Sequence, residues 1–305
     1  MRLNRSVLTL TALALVLAAC GGTDDSAETT AAGEATETTA AGEVTETTAA
    51  GETTETTAAA PSGEAPSFIY ITPNPIGVNK FLELGQIGTD RAAAALGGTS
   101  KTFESTDLNS RQTNLDAAVA EAPDVIVLTT FEFTDSAKAA AEANPDQRFI
   151  LIDACPEEAP ANLSCGVFRE QEGAYLLGIM AGSLSEAKQV GSVVALDIPF
   201  LHRYSDSFAL GAQSIDPAIT DAQVFVGGDN PFSDPARSKE QALALAAQGL
   251  DHIFAVTAGG NGGVFEAATE QGFLSYGVDV NQCPDAPGFV VDNNLKLVDN
   301  VVETL

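Results

Sequence analysis

From Ser67 onward, short and almost unbroken apolar runs alternate with longer amphipathic stretches, and that alternation restricts the chain to few architectures. Residues 68–72, 102–105, 124–128 and 149–152 read as strands. Helical patterns at 80–96, 110–121 and 134–143 lie between them, the first closing on Gly97-Gly98. A strand that is apolar at every position, rather than every second one, is covered on both faces. Parallel sheets flanked by helices are the fold that does this. The pattern restarts with strand 165–168, helix 172–185 and strand 190–196, then continues through 205–214, 222–226, 236–248, 252–256, 263–271 and 274–278. Two such sets predict two lobes, with ligand sites off the carboxyl ends of the strands.

The N-terminal portion has a different character. Arg2 and Arg5 precede an apolar run over 7–19, too short to span a bilayer comfortably but the length of a signal-peptide core. It ends in Leu17-Ala18-Ala19-Cys20, which resembles the bacterial lipoprotein box, with residues 1–19 removed and Cys20 acylated. Several acyl chains, at ~0.8 kcal/mol per buried methylene, anchor a protein stably. Residues 20–66 then carry a nine-residue unit three times: AAGEATETT, AAGEVTETT and AAGETTETT. Without aromatic residues it cannot bury enough surface to offset chain entropy, so a disordered tether is expected.

Charge narrows the range of functions. The chain has 14 Lys+Arg against 42 Asp+Glu, a net charge of -28, and phosphate backbones need clustered bases, so nucleic acid is not an expected partner. Two His and no Cys-x-x-Cys pair give little material for a metal site. No Gly-x-Ser-x-Gly nucleophile motif occurs, His202 and His252 lie in unlike contexts, and no catalytic residue is assigned. Asp153 and Asp279 both close strands, but a glycosidase pair needs a defined separation that sequence does not supply. Gly259-Gly260-Asn261-Gly262-Gly263 follows a strand and either cradles an anion at a helix start or lets backbone approach a neutral ligand. Cys155 and Cys165 flank a Pro-containing loop, and in an exported chain a disulfide between them is expected. Cys283 is left over.

The stretch Phe168-Arg-Glu-Gln-Glu-Gly-Ala-Tyr-Leu-Leu-Gly-Ile-Met-Ala-Gly182 resembles the basic membrane protein family, nucleoside-binding lipoproteins of ABC importers. Ile198-Pro-Phe-Leu-His-Arg-Tyr-Ser-Asp-Ser-Phe208, Asp234-Pro-Ala-Arg-Ser-Lys239 with Gln248-Gly-Leu-Asp-His-Ile-Phe254, Ala258-Gly-Gly-Asn261, Tyr276-Gly-Val-Asp-Val-Asn-Gln282 and Asn294-Leu-Lys-Leu-Val-Asp299 agree in order. The resemblance implies a type I periplasmic binding protein: lobe 1 over 67–167, lobe 2 over 168–282, and a return into lobe 1 over 283–305. It also implies a monomer without cofactor that binds a nucleoside, a purine nucleoside foremost, and passes it to an ABC permease at the extracytoplasmic membrane face. Phe81 aligns with a ring that stacks on the base, and Phe200 is a candidate second ring. Asp279 would accept hydrogen bonds from the ribose diol, Lys296 would donate to it, and Gly259 and Gly260 would admit backbone.

One loop departs from the family. The usual Asp-Asp-Lys-Ser-Phe-Asn is here Gly77-Val78-Asn79-Lys80-Phe81-Leu82, which keeps the aromatic and loses the acids. Asn74, Asn79 or Lys80 then supply the polar contacts to the base, or the ligand is another small molecule. A receptor that presents ligand to a membrane sensor is the alternative function. The family pattern also calls for a third crossover after residue 305, so a truncated chain is expected. An export signal where a DNA-binding headpiece would stand speaks against a transcriptional regulator of the same fold.

Overall fold

A computed structural model of the protein describes residues 65–305. The signal-peptide, Cys20 and tether expectations lie outside those residues. The first lobe comprises β1 (Ser67–Thr72), α1 (Lys80–Ala95), β2 (Thr99–Glu104), α2 (Leu108–Glu121), β3 (Val125–Thr129), α3 (Thr134–Ala143), β4 (Arg148–Ile152) and β5 (Leu163–Gly166). Its five strands are all parallel, in the order β2-β1-β3-β4-β5. The second lobe comprises α4 (Glu170–Leu184), β6 (Gln189–Val194), α5 (Pro199–Ile215), β7 (Thr220–Phe225), α6 (Pro235–Ala246), β8 (His252–Val256), α7 (Asn261–Gln271), β9 (Leu274–Asp279) and β10 (Val290–Leu295). Its parallel sheet runs β10-β9-β8-β6-β7, the same topology read from the other edge.

The apolar runs become the central strands because both faces are covered. Ile69, Ile71, Ile126 and Leu128 pack with α2 and α3, whereas Tyr70, Val127 and Ile152 face α1 and α8 (Val298–Thr304). Helix starts are fixed locally. The Asn79 side chain accepts from the backbone N–H of Phe81 at 3.1 Å, and Asp107 with Ser110 forms a reciprocal cap on α2. Pro199 opens α5, so that helix begins a turn and a half earlier than the sequence pattern predicts. In lobe 2, α4 and α5 approach so closely that a Cβ on Gly178 would meet the Phe208 carbonyl.

The chain passes between lobes at residues 167–169 and again at 296–297. The second crossing corrects the expectation that 283–305 returns to lobe 1 as a whole. Residues Val290–Leu295 pair in parallel with β9, so they complete the second sheet. Only Val290 and Asn294 of the six residues are buried, Asp292 is exposed, and the register shifts between Val290 and Asp292, the irregularity of an edge strand. Only α8 packs on lobe 1, placing Val298 and Val302 in its core and pairing Asp299 with Arg91 at 2.6 Å. A disulfide joins Cys155 to Cys165 across the β4–β5 loop, and Cys283 is free among the described residues.

Candidate functional site

Six described non-glycine residues have positive φ, and four of them, Thr130 (84°), Asp153 (73°), Ala258 (50°) and Asp279 (71°), line one cleft between the lobes. Thr130 and Asp153 follow the third and fourth strands of lobe 1. Ala258 and Asp279 stand at the equivalent ends of β8 and β9. Such backbone costs on the order of 1 kcal/mol or more per residue, and it persists where the surroundings over-determine it, which is commonly a ligand site. The cleft lies off the carboxyl ends of both sheets, where strand order reverses on either side of β1 and β6. The empty space within it is about 550 Å³ with the open solvent at its mouth included.

Aromatic rings form its walls. Phe81 sits in the first turn of α1, and Phe200 and Tyr204 are one turn apart on α5 with ring centroids 6.1 Å apart. Phe131, from the loop after β3, meets Phe200 at 5.7 Å and Phe232 at 6.3 Å. Those contacts cross from lobe 1 to lobe 2, so the lobes are closed on one another. Edge-tilted ring pairs of this kind contribute about 0.5–1.5 kcal/mol each beyond the area they bury.

The floor is charged. Lys296, from the second crossing, is 3% exposed, and its Nζ donates to Asp153 Oδ1 at 2.5 Å and lies 3.3 Å from Glu170 Oε1. It is also 5.2–5.3 Å from the ring centroids of Phe81, Phe168, Phe200 and Tyr204. Burial opposes its charge, yet Asp153, Asp279 and Glu170 outweigh that and hold the ammonium above its ordinary value. Burial raises the Asp153 carboxyl to about 7 against the pull of Lys296, and raises Asp279 to about 6 by the same balance. Arg203 Nη2 stands 2.8 Å from Glu170 Oε2 as an ion pair, although the geometry at that oxygen is not that of a hydrogen bond. Asp153 belongs to lobe 1 and Asp279 to lobe 2, Glu170 opens α4 directly after the first crossing, and Lys296 lies in the second. The cluster therefore ties both lobes to the hinge.

Of the residues expected from sequence, Asn79, Phe81, Phe200, Asp279 and Lys296 line this cleft. Gly259 and Gly260 do not. They form a short turn in which Gly259 faces Val78 and Phe232, and Gly260 faces Ser238 and Thr257. Their neighbour Ala258 reaches the cleft instead. The Gly-Gly-Asn motif acts through Asn261, whose Oδ1 accepts from both the N–H and the hydroxyl of Thr257 at 2.9 Å and whose Nδ2 donates to Gln282 Oε1. Gln282 Oε1 also accepts from Val278 N–H, so the two motifs brace the turn that presents Asp279. Lys296 is committed to two carboxylates rather than free to donate chiefly to a ligand. Sequence reasoning missed Phe131, Glu132, Glu170 and Tyr204. Only Tyr204 carried a usable signal, four residues after Phe200 on a helix opened by Pro199.

Two lobes of equal topology closing on an aromatic cleft with a charged floor define a two-lobed solute-binding protein of the type I periplasmic kind. Residues 79–304 match the family described as "ABC transporter substrate-binding protein PnrA-like", and the chain belongs to that family. It is 30% identical over 192 residues to "Basic membrane protein A" of Borreliella burgdorferi, covering 62% of this chain and 56% of that one. It is 27% identical to the "ABC transporter nucleoside-binding protein BmpA" of Lactococcus lactis subsp. cremoris, covering 56% and 48%. The chain thus spans about half the length of these curated relatives. A solute-binding protein of an ABC transporter system from Aeropyrum pernix K1 superposes with a TM-score of 0.71 at 28% identity, covering 78% of this chain and 69% of that one. The Lactococcus lactis and Aeropyrum pernix relatives are described as binding proteins of ABC transporters. No helix among the described residues is long and apolar enough to cross a membrane.

Proposed function

We propose that the protein is a lipid-anchored, extracytoplasmic receptor that closes on a nucleoside in the interlobe cleft and delivers it to an ABC permease. The observation that carries this reading is the placing of Asp279 on a strained strand end, 8% exposed, in the same closed cleft as Phe81, Phe131 and Phe200. Rings on both lobes offer a base two faces to stack on. A carboxylate at the hinge end accepts paired hydroxyls with charge-assisted hydrogen bonds. Lys296 orients Asp153 and neutralises part of the carboxylate cluster. The Phe131–Phe200 and Phe131–Phe232 contacts give the closed state its own stabilisation, so ligand shifts an existing equilibrium toward it.

A thermal-shift panel of nucleosides, free bases and sugars on the purified protein tests the reading. A nucleoside at a hundred times its dissociation constant stabilises by ~2.7 kcal/mol. That is several degrees for lobes of this size, and Asp279→Ala removes it. A shift produced only by sugars, or one that Asp279→Ala leaves intact, overturns the assignment.

A further inference from the structure

Two polar atoms lining the cleft are buried without a partner: Glu132 Oε2 and Thr130 Oγ1. A buried acceptor left unsatisfied is costly, and the commonest reason to keep one in a binding cleft is that the ligand completes it. Among the described residues Glu132 has one charged partner, Arg111, and its Oε2 has no hydrogen-bond partner. Arg111 Nη2 is 3.8 Å from Glu132 Oε1, an ion pair beyond hydrogen-bond range. Its Nε donates to the Pro73 carbonyl at 2.8 Å and its Nη2 to Asn74 Oδ1 at 3.3 Å.

Those bonds also set the polarity of the neighbouring amides. With Oδ1 of Asn74 held by Arg111 and Oδ1 of Asn79 accepting from the first turn of α1, each amide is left with its Nδ2 donor free among the described residues. Both side chains line the cleft. The polar rim thus offers a carboxylate acceptor on one loop of lobe 1 and two amide donors on another, beside the ring of Phe131. The family's acids are missing from residues 77–82, and Glu132 returns a carboxylate to the rim from a different strand end.

We infer that Glu132 reads the base and makes this cleft selective for 6-oxopurine nucleosides, guanosine above all. The inference rests on the nucleoside reading given above. Guanine presents two donors side by side, the N1–H and the 2-amino group, which a carboxylate accepts with its two oxygens, and an O6 acceptor that an amide N–H can meet. Hypoxanthine keeps the N1–H and O6 but lacks the amino group. Adenine turns a bare N1 lone pair toward the carboxylate and has a donor where the amides need an acceptor.

Calorimetric titration of guanosine, inosine and adenosine into the wild type, Glu132→Gln and Glu132→Ala tests it, with melting temperatures recorded for each protein. The expected order in the wild type is guanosine, then inosine, then adenosine. Loss of hydrogen bonds to a charged acceptor should weaken guanosine by about 10–100-fold in Glu132→Ala while adenosine binds no worse. Glu132→Gln should weaken guanosine and narrow its lead over adenosine, because a carboxamide N–H can donate to the bare N1 of adenine. Adenosine binding the wild type as tightly as guanosine would overturn the inference. So would a guanosine-to-adenosine ratio that neither substitution moves in folded protein. If nucleosides bind through Asp279 and only the ratio is insensitive, this inference alone falls. If no nucleoside binds the wild type, the reading of the cleft falls with it.

Discussion

Replacing Lys296 with Met keeps the length and packing of the side chain and removes the cation from a floor that holds three buried carboxylates. Asp153 loses a partner at 2.5 Å and Glu170 one at 3.3 Å, both almost wholly inaccessible to water. Removing one member of a buried pair typically costs about 3–5 kcal/mol, because the remaining charge has neither solvent nor counter-ion. At ~2–4 °C per kcal/mol for a protein of this size, the melting temperature should fall by roughly 6–20 °C at pH 8. The loss must depend on pH. Asp153 ionises at about 7 in the fold and near about 3.9 when unfolded, so the fold binds more protons across that window and its contribution to stability declines as pH rises through it. Without Lys296 the charge holding Asp153 down is gone and the window extends above 7. The gap between variant and wild type therefore widens on the alkaline side and narrows toward pH 5.5, where Asp153 is already largely neutral in both. Scanning calorimetry at pH 5.5 and 8 on wild type, Lys296→Met and Lys296→Met/Asp153→Asn measures this, the double variant recovering part of the loss at pH 8. An equal loss at both pH values, or no recovery, would show that Lys296 acts through packing and that the charge argument is wrong.

On the proposed function, nucleoside affinity should strengthen as pH rises from 5 to 7.5, because Asp279, raised by burial to about 6, would accept sugar hydroxyls best when ionised. Stability of the ligand-free protein should move the other way over about pH 4–6, since a raised carboxyl favours the protonated fold. Titrations at three pH values check this, and Asp279→Asn should flatten the dependence. Gly178→Ala should cost about 1–3 kcal/mol in urea unfolding, because its Cβ meets the Phe208 carbonyl where α4 and α5 are closest. A change below about 0.5 kcal/mol, no more than a surface substitution gives, would mean the two helices can part without penalty.

The strands were legible because their signal is local: an unbroken apolar run such as Val125–Thr129 needs no knowledge of its neighbours to be read as a covered strand. The same local reading failed at Val290–Leu295, which mixes Val, Asp and Asn. Its membership of the second sheet depends on β9 lying alongside, and only Val290 and Asn294 are buried there. Phe81, Phe200, Asp279 and Lys296 were reachable through motifs that resemble the family. Gly259 and Gly260 came through the same route and were misplaced, because their motif braces the turn behind Asp279 by way of Asn261 rather than touching the cleft. Phe131 and Glu132 had neither kind of signal. Each stands beside a strand end, and what it faces is decided by a lobe that begins some forty residues later.

That division follows from how the site is assembled. Each lobe contributes the ends of its third and fourth strands, so the two sets are far apart in sequence and equivalent in topology. The backbone there turns left-handed at Asp153 and Asp279, residue types that tolerate αL better than most side chains. One type of residue thus serves two demands, the turn and the charge, in both lobes. Among the described residues, the crossing residue Lys296 is the cation that acts on both carboxylates, and it lies where the chain leaves lobe 2. Closure brings Asp153 and Asp279 toward a single ammonium, which lowers their mutual repulsion only when the lobes meet. The hinge charge and the ring contacts of Phe131 therefore favour the same state, and a ligand that adds hydroxyl donors to Asp279 and stacking to the rings deepens a minimum that the fold already has.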